Sequence, residues 1–532
     1  MEEGGEEETV GGSWGNRTER SGNKRLKLLE KEDRISDLPD SLIHHILSFL
    51  PSTKQAIQTG ILSKRWQNQW TRVPVLIFES TSKSDKNFSQ FIDRTLTLHD
   101  CLKIKKFHIQ FDCNLRCDPH LTSKIRFATR KDVEELILNL CPLDEFRLPK
   151  FLFNNASLVK LELFKCSIGY NVRVSWPSLK ELKLECSQVH NLAIENVVSG
   201  CPLLELLELS GIFGFFDVVI ASKSLKRLIF VDVETEDDSD DDSEKIEISC
   251  PNLEQLSITI SVDSRIGFSN LQDQAIENVL SNSPLLHTLE LLHYSCSDRL
   301  VIASKSLKKL VLGELNLVNF KLSEFKISCP DLEEFEIGTL EFETIENFDS
   351  QSFAIKILGQ LQVVKMLKIG SWFIKILSDL EVEDLPSPLL NCKCLTLDGT
   401  NFDEHLRGIV CAIRCASVLE KLVIKLDERR KPNDLLDLND CRKNYWNLNG
   451  TVFNCSVSNL KTLKIIGLSE RDEKHKLVFN FVEFLLKNAR VLEKIIVILA
   501  DYGTSFLFEV STKLLSFQRC FPHTTIELLR ST

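Results

Sequence analysis

A short apolar motif, Leu-x-x-Leu-x-Leu, with other apolar residues allowed in place of each Leu, recurs along most of this chain. One copy reads Leu158-Val-Lys-Leu161-Glu-Leu163. Other copies begin at Leu179, Leu204, Leu225, Leu253, Leu286, Leu307, Leu332, Leu419, Leu460 and Leu492. From Leu158 to Leu332, successive copies begin 21 to 33 residues apart. This period is typical of solenoid repeats, and it predicts a fold built from many similar units.

The spacing within the motif predicts the local structure of each unit. Its last two apolar positions are separated by one polar position, as in a short β-strand with one buried face. A unit of roughly 25 residues cannot bury that face alone, so neighbouring units must stack and share one core. A length of 532 residues also exceeds what a single compact core accommodates. We therefore expect an α/β solenoid that is curved, with parallel strands on its concave face.

A longer repeat is superimposed on the short one. Cys201-Pro-Leu-Leu matches Ser283-Pro-Leu-Leu, the segment around Ala221 matches that around Ala303, and Cys250-Pro-Asn-Leu-Glu matches Cys329-Pro-Asp-Leu-Glu, at offsets of 82, 82 and 79 residues. These matches predict that a block of three repeats is duplicated. Since each of the three cysteines precedes a proline, we expect them to be small buried side chains at a turn.

Residues 33–74 have a different, helical pattern. The apolar residues Leu42, Ile43, Ile46, Leu47 and Leu50 recur at helical spacing, and a proline follows them. A second short helix is predicted from Thr53, and a third, capped by Ser63, carries Trp66 and Trp70. Three short helices in about 40 residues form a very small core, so we expect this unit to depend on a partner.

The net charge of -11 is a local property of two acidic runs. Residues 1–9 contain five Glu, residues 232–244 contain nine Asp or Glu, and neither run contains Lys or Arg. Without these fourteen acids the chain carries +3. The near-neutral remainder predicts neither a nucleic acid nor a membrane surface as partner. We expect residues 1–30 to be a disordered tail and residues 232–244 to be an acidic loop between repeats.

The cysteines and the N-terminus bear on the cellular compartment. The chain has 17 cysteines, an odd number, and its first residues are acidic without an apolar segment. Reduced thiols in the nucleus or cytoplasm are therefore expected. The sequence contains no run of about 18 apolar residues, so no membrane span is predicted. His108, Cys113, Cys117 and His120 are of the residue types that bind zinc, but their spacing is not that of paired zinc knuckles, so no metal site is predicted.

Motifs for catalysis are not found in the sequence. There is no Gly-x-x-x-x-Gly-Lys phosphate loop, Gly-x-Ser-x-Gly elbow, His-Glu-x-x-His or dinucleotide glycine fingerprint. We therefore predict that the protein is not an enzyme and that it has no cofactor.

The helical unit at residues 33–74 resembles the plant F-box. The matching segments are Asp33-Arg-Ile-Ser-Asp-Leu-Pro-Asp40, Ile46-Leu-Ser-Phe-Leu-Pro51, Leu62-Ser-Lys-Arg-Trp66 and Val73-Pro74, with Trp70 between the last two. The resemblance implies binding to a Skp-type adaptor and, through it, to a cullin scaffold of a ubiquitin ligase. In that family the adaptor contact is largely apolar. Here it is expected at Leu38, Pro39, Leu42, Ile46, Leu47, Leu50 and Trp66.

The C-terminal region, about residues 445–531, is similar to the FBD region that ends many plant F-box/leucine-rich-repeat proteins. The matching stretches are Val457-Ser-Asn-Leu-Lys-Thr-Leu463 and Val482-Glu-Phe-Leu-Leu-Lys-Asn-Ala489. The expected organisation is a tail at 1–30, a three-helix F-box at 31–78, a curved leucine-rich-repeat array at 79–440, and an FBD-like cap at 441–532.

The target of such a protein is expected on the concave face. The polar residues that flank the inner apolar positions, and that we expect to bind a target protein, are Lys183, Glu185, Glu208, Ser257, Thr259, Glu290 and Glu336. Together with Glu162, Ser210, Lys368 and Lys425 they form a mixed set that leans acidic. Direct protein recognition is therefore favoured. Two alternatives stay open: a repeat scaffold that is not coupled to ubiquitination, and a small-molecule hormone co-receptor, which needs several Arg and Lys on one face.

Overall fold

The computed structural model describes most of the chain as one repetitive array. The described residues are 38–80, 86–111, 121–140, 146–169, 172–187, 191–212, 218–232, 246–260, 273–296, 299–318, 324–338, 340–343, 349–380, 389–427, 457–470, 475–500 and 503–530. The acidic run at 1–9, all of the run at 232–244 except Asp232, and the candidate zinc ligands Cys113, Cys117 and His120 lie outside these residues. The proposed disordered tail also lies outside them.

Among the described residues, one parallel sheet of 17 strands runs the length of the array. Its strands are Val75–Ser80, Lys106–Phe111, Glu135–Leu140, Lys160–Phe164, Glu181–Glu185, Leu206–Ser210, Arg227–Val231, Gln255–Thr259, Thr288–Leu292, Lys309–Gly313, Glu334–Ile337, Met366–Ile369, Cys394–Thr400, Lys421–Leu426, Thr462–Leu468, Lys494–Leu499 and Thr525–Arg530. Each strand pairs with the next one along the chain, in parallel and with corresponding motif positions side by side. The same order continues to the C-terminal strand, so the FBD-like region extends the same sheet.

The alternation predicted from the motif is present in these strands. In Lys160–Phe164, Leu161 and Leu163 are buried, whereas the residues that flank them are half-buried. The paired registers align such residues into two apolar rows that run the length of the sheet beneath the return segments. These rows form one continuous core, which explains why no single repeat is expected to fold alone.

The segments that return the chain to the next strand are mostly helical toward the two ends of the array. The helices are Lys86–Leu98, Leu121–Arg130, Asn191–Gly200, Asp273–Asn282, Ser350–Gln360, Ser371–Asp379, Phe402–Cys415, His475–Asn488 and Thr504–Cys520, with a 3₁₀ turn at Lys150–Phe153. A helix is about 10 Å wide, whereas neighbouring strands are about 4.8 Å apart. Because the helical layer needs more room, the sheet lies on the inner, concave side of the solenoid.

In the middle of the array, short strands replace helices on the outer side. The outer strands are Phe146–Arg147, Cys166–Ser167, Val218–Ala221, Ile246–Ser249, Ser295–Cys296, Leu300–Ala303, Leu315–Val318, Phe325–Ser328 and Leu340–Glu343. They form four small sheets of two or three parallel strands.

The predicted duplication is confirmed element by element. The helix Asn191–Gly200 corresponds to Asp273–Asn282, and the outer strand Val218–Ala221 corresponds to Leu300–Ala303, both 82 residues apart. Even the backbone matches: Gly211 and His293, which follow equivalent strands, both have a positive φ, of 56° and 53°. A positive φ is easily adopted by glycine but is unfavourable for most other residues. We infer that the repeat geometry holds His293 in this conformation.

The F-box region folds as a small helical unit before the first strand. Its helices are Asp40–Leu47 and Thr53–Gln58, followed by 3₁₀ segments at Thr59–Ile61 and Trp66–Arg72. The side chain of Ser52 accepts a hydrogen bond from the backbone N–H of Gln55 and caps the second helix. The third predicted helix, which carries both tryptophans, is a 3₁₀ helix.

This unit rests directly on the edge of the sheet. The Oγ1 of Thr53 accepts a 2.7 Å hydrogen bond from the backbone N–H of Ile77 in the first strand. The backbone N–H of Asp100 donates to the carbonyl of Thr71, and Nε2–H of His99 donates to the carbonyl of Val73. The F-box therefore covers the N-terminal edge of the solenoid and protects the edge of the first strand that has no partner strand in the described residues.

No helix among the described residues is both long enough and apolar enough to cross a membrane. Within the same residues, no three His, Cys, Asp or Glu side chains come together as metal ligands. His108, the one candidate zinc ligand in this part, lies on the concave face with its Nδ1 3.6 Å from a carboxylate oxygen of Glu79.

Candidate binding surfaces

The first helix of the F-box has two apolar faces. Ile43 and Leu47 face inward and form the core of the unit with Trp66 and Val73. Leu42 and Ile46 lie one turn apart on another side of the helix and are exposed, and Phe49, just after the helix, is 74% exposed. Such a row of apolar side chains in contact with water is characteristic of a surface that a partner covers.

A second exposed apolar pair follows the second helix. Ile61 is 88% exposed and Leu62 is also exposed. Nearby, the Arg65 guanidinium donates hydrogen bonds to the backbone carbonyl of Leu38 and to the Asp40 carboxylate, the latter at 3.0 Å. This hydrogen bond to Arg65 is the main cause that lowers the pKa of Asp40. Arg65 thus joins the segment that carries Ile61 and Leu62 to the start of the first helix.

The predicted adaptor-binding residues fall into three groups. Pro39, Leu42 and Ile46 are exposed, and Leu38 and Leu50 are half-buried. Leu47 and Trp66 are only 2% and 4% exposed, because they form the core of the unit. Their assignment to the contact surface is therefore corrected: they support the exposed residues from beneath. Phe49, Ile61 and Leu62 were not predicted, although all three lie within residues 33–74.

The predicted target-binding residues lie on the concave side of the sheet, where their charges are largely paired between strands. Nζ of Lys183 is 2.7 Å from a carboxylate oxygen of Glu208 on the next strand. Nζ of Lys309 is 2.8 Å from a carboxylate oxygen of Glu290. Because these carboxylates already have a cationic partner within the sheet, they offer little unneutralised charge to a ligand.

The remaining predicted residues differ in accessibility. Glu185 is exposed at the end of its strand, and Thr259 is half-buried. Ser257 is only 7% exposed, which corrects its prediction as a contact residue: its short side chain lies between Ile229 and Glu290 on the adjacent strands and is covered by them.

A chain of alternating charges crosses four strands in the second half of the array. Lys368 is ion-paired with Glu336 and, at 2.9 Å, with Asp398. Asp398 is in turn 3.3 Å from Nζ of Lys425. Burial favours the neutral forms, but the hydrogen bonds and opposite charges outweigh it, so the pKa of Asp398 is lowered and that of Lys368 is raised. Both groups therefore remain charged, and the chain is internally neutralised.

The cysteines of the duplicated turns are buried as predicted. Cys201, Cys250 and Cys329 belong to the core. Burial raises the pKa of the Cys201 thiol to about 12 and that of Cys250 to about 11. Thiols of this kind are poor nucleophiles, which confirms their interpretation as apolar packing residues.

Comparison with known families matches three regions of the chain and supports the two resemblances and the repeats seen in the sequence. The F-box domain model matches residues 35–78. A model described as "FBD-associated F-box protein At5g56370, LRR repeats" matches residues 121–267, and the FBD model matches residues 449–497.

Similar full-length proteins are found in Arabidopsis thaliana. The putative F-box/LRR-repeat protein At3g18150 is 28% identical over 498 residues, which is 91% of this chain and 90% of that protein. F-box/LRR-repeat protein At5g02910 is 29% identical over 90% of both chains. F-box/LRR-repeat protein 25 is 33% identical over 237 residues, which is 44% of this chain and 88% of that protein.

Proposed function

Because the chain belongs to the F-box/leucine-rich-repeat family of plant proteins, we propose that it is the substrate-recognition subunit of a Skp–cullin–F-box ubiquitin ligase. The F-box binds a Skp-type adaptor, the adaptor joins the cullin scaffold, and the solenoid binds a target protein. The observation that carries this proposal is the exposed apolar surface of the F-box, formed by Pro39, Leu42, Ile46, Phe49, Ile61 and Leu62.

Burial of this surface provides the driving force for binding the adaptor. Fully burying a Leu, Ile or Phe side chain is worth about 1.5–3 kcal/mol, so several such residues in contact with an apolar partner support a stable complex. The core beneath them is small, because the cluster separate from the main core contains four buried residues in the described part of the chain. Adaptor binding is therefore expected to stabilise the F-box as well.

The proposed role of the solenoid is to hold a target near the ubiquitin-transfer machinery. This role needs proximity and orientation, and the chain supplies no bond-making side chain to the reaction. The proposed compartment is the nucleus or cytoplasm, and no disulfide bond joins the cysteines that the structure describes.

The co-receptor alternative is less well supported by the concave face. A phosphate-rich cofactor requires several Arg and Lys that converge in a pocket. The described strands of the main sheet contain two arginines: Arg227, at an outward position, and Arg530, the last residue of the last strand. The lysines of the C-terminal strands lie on an open sheet between aliphatic residues.

The proposal is tested by co-expressing the full chain with a Skp-type adaptor and measuring co-purification. The double change Leu42→Asp and Ile46→Asp places charges on the exposed face and leaves the core untouched. The matched control is Leu203→Asp and Leu285→Asp, two exposed leucines at equivalent turns of the solenoid. We expect the unchanged chain and the control to retain the adaptor and the F-box variant to lose it. Failure of the unchanged chain to bind any Skp-type adaptor would refute the proposal.

A further inference from the structure

The concave face of the last four strands differs in character from the rest of the sheet. These strands are Lys421–Leu426, Thr462–Leu468, Lys494–Leu499 and Thr525–Arg530. Their outward positions, aligned by the strand registers, are Lys421, Val423, Lys425, Thr462, Lys464, Ile466, Lys494, Ile496, Ile498, Thr525, Glu527 and Leu529. We call these twelve residues the basic–aliphatic surface.

Charge sets this surface apart. It holds four lysines and one glutamate, an excess of three positive charges. The outward positions of the three strands from Lys160 to Ser210 hold two lysines and four glutamates, an excess of two negative charges. The acidic lean expected from the sequence therefore belongs to the first half of the array, and the C-terminal strands reverse it.

Two of these lysines have no carboxylate partner among the described residues. Lys494 is 2.8 Å from a carboxylate oxygen of Glu527, and Lys425 shares Asp398 with Lys368. Lys421 and Lys464 have no carboxylate at ion-pair distance within the residues that the structure describes. They lie on adjacent strands, offset by one outward position. Their charge is therefore available to an anionic ligand.

Aliphatic side chains lie between the lysines. Ile466 and Ile498 are neighbours in the same register row as Leu529, and Ile496 lies next to Lys464. The three isoleucines are half-buried and Leu529 is exposed. The twelve residues include no arginine and no aromatic side chain, the groups that bind phosphates and stack on bases. Alternating ammonium groups and aliphatic side chains instead complement a protein segment that is acidic and apolar.

We propose that the basic–aliphatic surface is the docking site for an extended, acidic and aliphatic segment of the target protein. The proposal rests on the proposed function and specifies the chemistry of its target. Four strands span about 14 Å across the sheet, which matches four or five residues of an extended chain at about 3.3 Å per residue. The carboxylates of that segment pair with Lys421 and Lys464, while its aliphatic residues cover Ile466, Ile496 and Ile498.

The acidic segment of this chain between residues 232 and 246 is too short to be the occupant. It follows the seventh strand, whereas the basic–aliphatic surface begins at the fourteenth. Seven strand spacings amount to about 34 Å. A loop of this length that must also return reaches about 24 Å at most. That segment is therefore excluded as the occupant, and charge complementarity assigns the surface to a segment of the target protein.

The test measures peptide binding to the full chain in complex with its adaptor by fluorescence anisotropy. The probe is a short labelled peptide in which Glu alternates with Ile and Val. Control peptides replace either every Glu by Lys or every Ile and Val by Ser, and a third carries residues 232–244 of this chain, which are acidic with little apolar content. The variant Lys421→Glu and Lys464→Glu is compared with Lys106→Glu, a concave lysine of the second strand that also has no carboxylate partner in the described structure.

We expect the probe to bind more tightly than all three control peptides, and its affinity to fall as salt rises from about 0.05 to 0.5 M. The double variant should weaken binding roughly tenfold or more, and the Lys106 variant less than about twofold. Equal loss in both variants, or no binding of the probe, would overturn the proposal. Tighter binding of a single-stranded oligonucleotide or an inositol polyphosphate would overturn it too. The adaptor is retained in every sample, so these outcomes contradict the docking site alone. The proposed ligase function is contradicted by a different result, failure to bind the adaptor.

Discussion

Thr53 of the F-box and Ile77 of the first strand are joined by a 2.7 Å hydrogen bond from the Ile77 backbone N–H to the Thr53 Oγ1. Thr53 is buried. In the described part of the chain, the strand Val75–Ser80 has a partner strand along one edge only, the edge that faces Lys106–Phe111. A side chain of the F-box thus satisfies a backbone donor that the sheet leaves open. The two parts are therefore expected to unfold together.

We predict that Thr53→Val destabilises both the F-box and the first repeats. The substitution keeps the shape but leaves the Ile77 N–H without its acceptor, which costs about 1–3 kcal/mol. Thr53→Ser, which keeps the hydroxyl, should cost less. Chemical denaturation measures the free energy of unfolding of both variants, and hydrogen exchange measures the protection of the Ile77 N–H. Unchanged protection of Ile77 in the valine variant would show that water replaces the hydroxyl without loss.

Leu47 and Ile46 are neighbours in sequence but are expected to respond differently to truncation. Leu47→Ala removes core volume and should lower the free energy of unfolding by about 2–5 kcal/mol. Ile46→Ala should change stability by less than about 1 kcal/mol but weaken adaptor binding. Thermal unfolding and adaptor titration, performed on both variants, separate the two effects. The reverse pattern would restore Leu47 to the contact surface.

His99 makes the junction between the F-box and the first repeat sensitive to acid. Burial lowers the pKa of its imidazole, against the smaller opposing effects of the hydrogen bond with Val73 and the charge of Asp100, while Lys131 adds to the lowering. Its Nδ1 is buried without a hydrogen-bond partner. The unfolded chain therefore takes up a proton at the ordinary pKa near 6.5, whereas the imidazole of the folded chain takes one up only at lower pH.

It follows that the stabilising contribution of His99 is complete above its ordinary pKa and is lost as the pH falls below it. The slope contributed by one such group reaches about 1.4 kcal/mol per pH unit. His99→Gln retains a donor toward the Val73 carbonyl and should flatten the dependence between about pH 5 and 7. Unfolding measured across this range tests the prediction. Identical slopes in both proteins would exclude His99 as the titrating group.

Lys124 is a buried cation in the helix Leu121–Arg130, and its Nζ is 3.1 Å from a carboxylate oxygen of Asp93. It also donates to the Ser89 hydroxyl at 3.0 Å. Since a buried charge without a partner is worse than no charge, Asp93→Ala should destabilise the protein more than Lys124→Met. A double-mutant cycle of the two, read by chemical denaturation, should show coupling. Additive effects would mean that water solvates the ammonium group.

The sequence predicted the repeat architecture well because one physical constraint recurs: alternating apolar residues must face one shared core. Strands whose motif begins with a residue other than Leu were harder to find. Val364-x-x-Leu367-x-Ile369 and Cys392-x-x-Leu395-x-Leu397 obey the same pattern, and both form strands of the main sheet. The motif as defined already allows an apolar residue at its first position, so both copies could have been identified from the sequence.

The F-box surface was predicted only in part, because helical spacing does not distinguish a core face from a partner face. Leu42 and Ile46 share the same spacing as Ile43 and Leu47, yet the first pair is exposed and the second is buried. The difference is made by Trp66 and Val73, which come from later in the chain and cover only one side of the helix. That choice depends on tertiary packing.

The charge pattern of the concave face also depends on information beyond single motifs. Lys183 and Glu208 were each expected to face a target, but the register of adjacent strands pairs them with each other. The basic–aliphatic surface appears only when the outward residues of four strands are aligned by that register.

The proposed coupling to ubiquitin transfer is tested most directly by reconstituting the assembly from purified components. The full chain, a Skp-type adaptor and a cullin are mixed and analysed by size-exclusion chromatography with light scattering. We predict that the chain elutes with the cullin only when the adaptor is present, and that the Leu42→Asp and Ile46→Asp variant does not. Failure of the unchanged chain to join the adaptor and cullin, or equal assembly by the variant, would contradict the account.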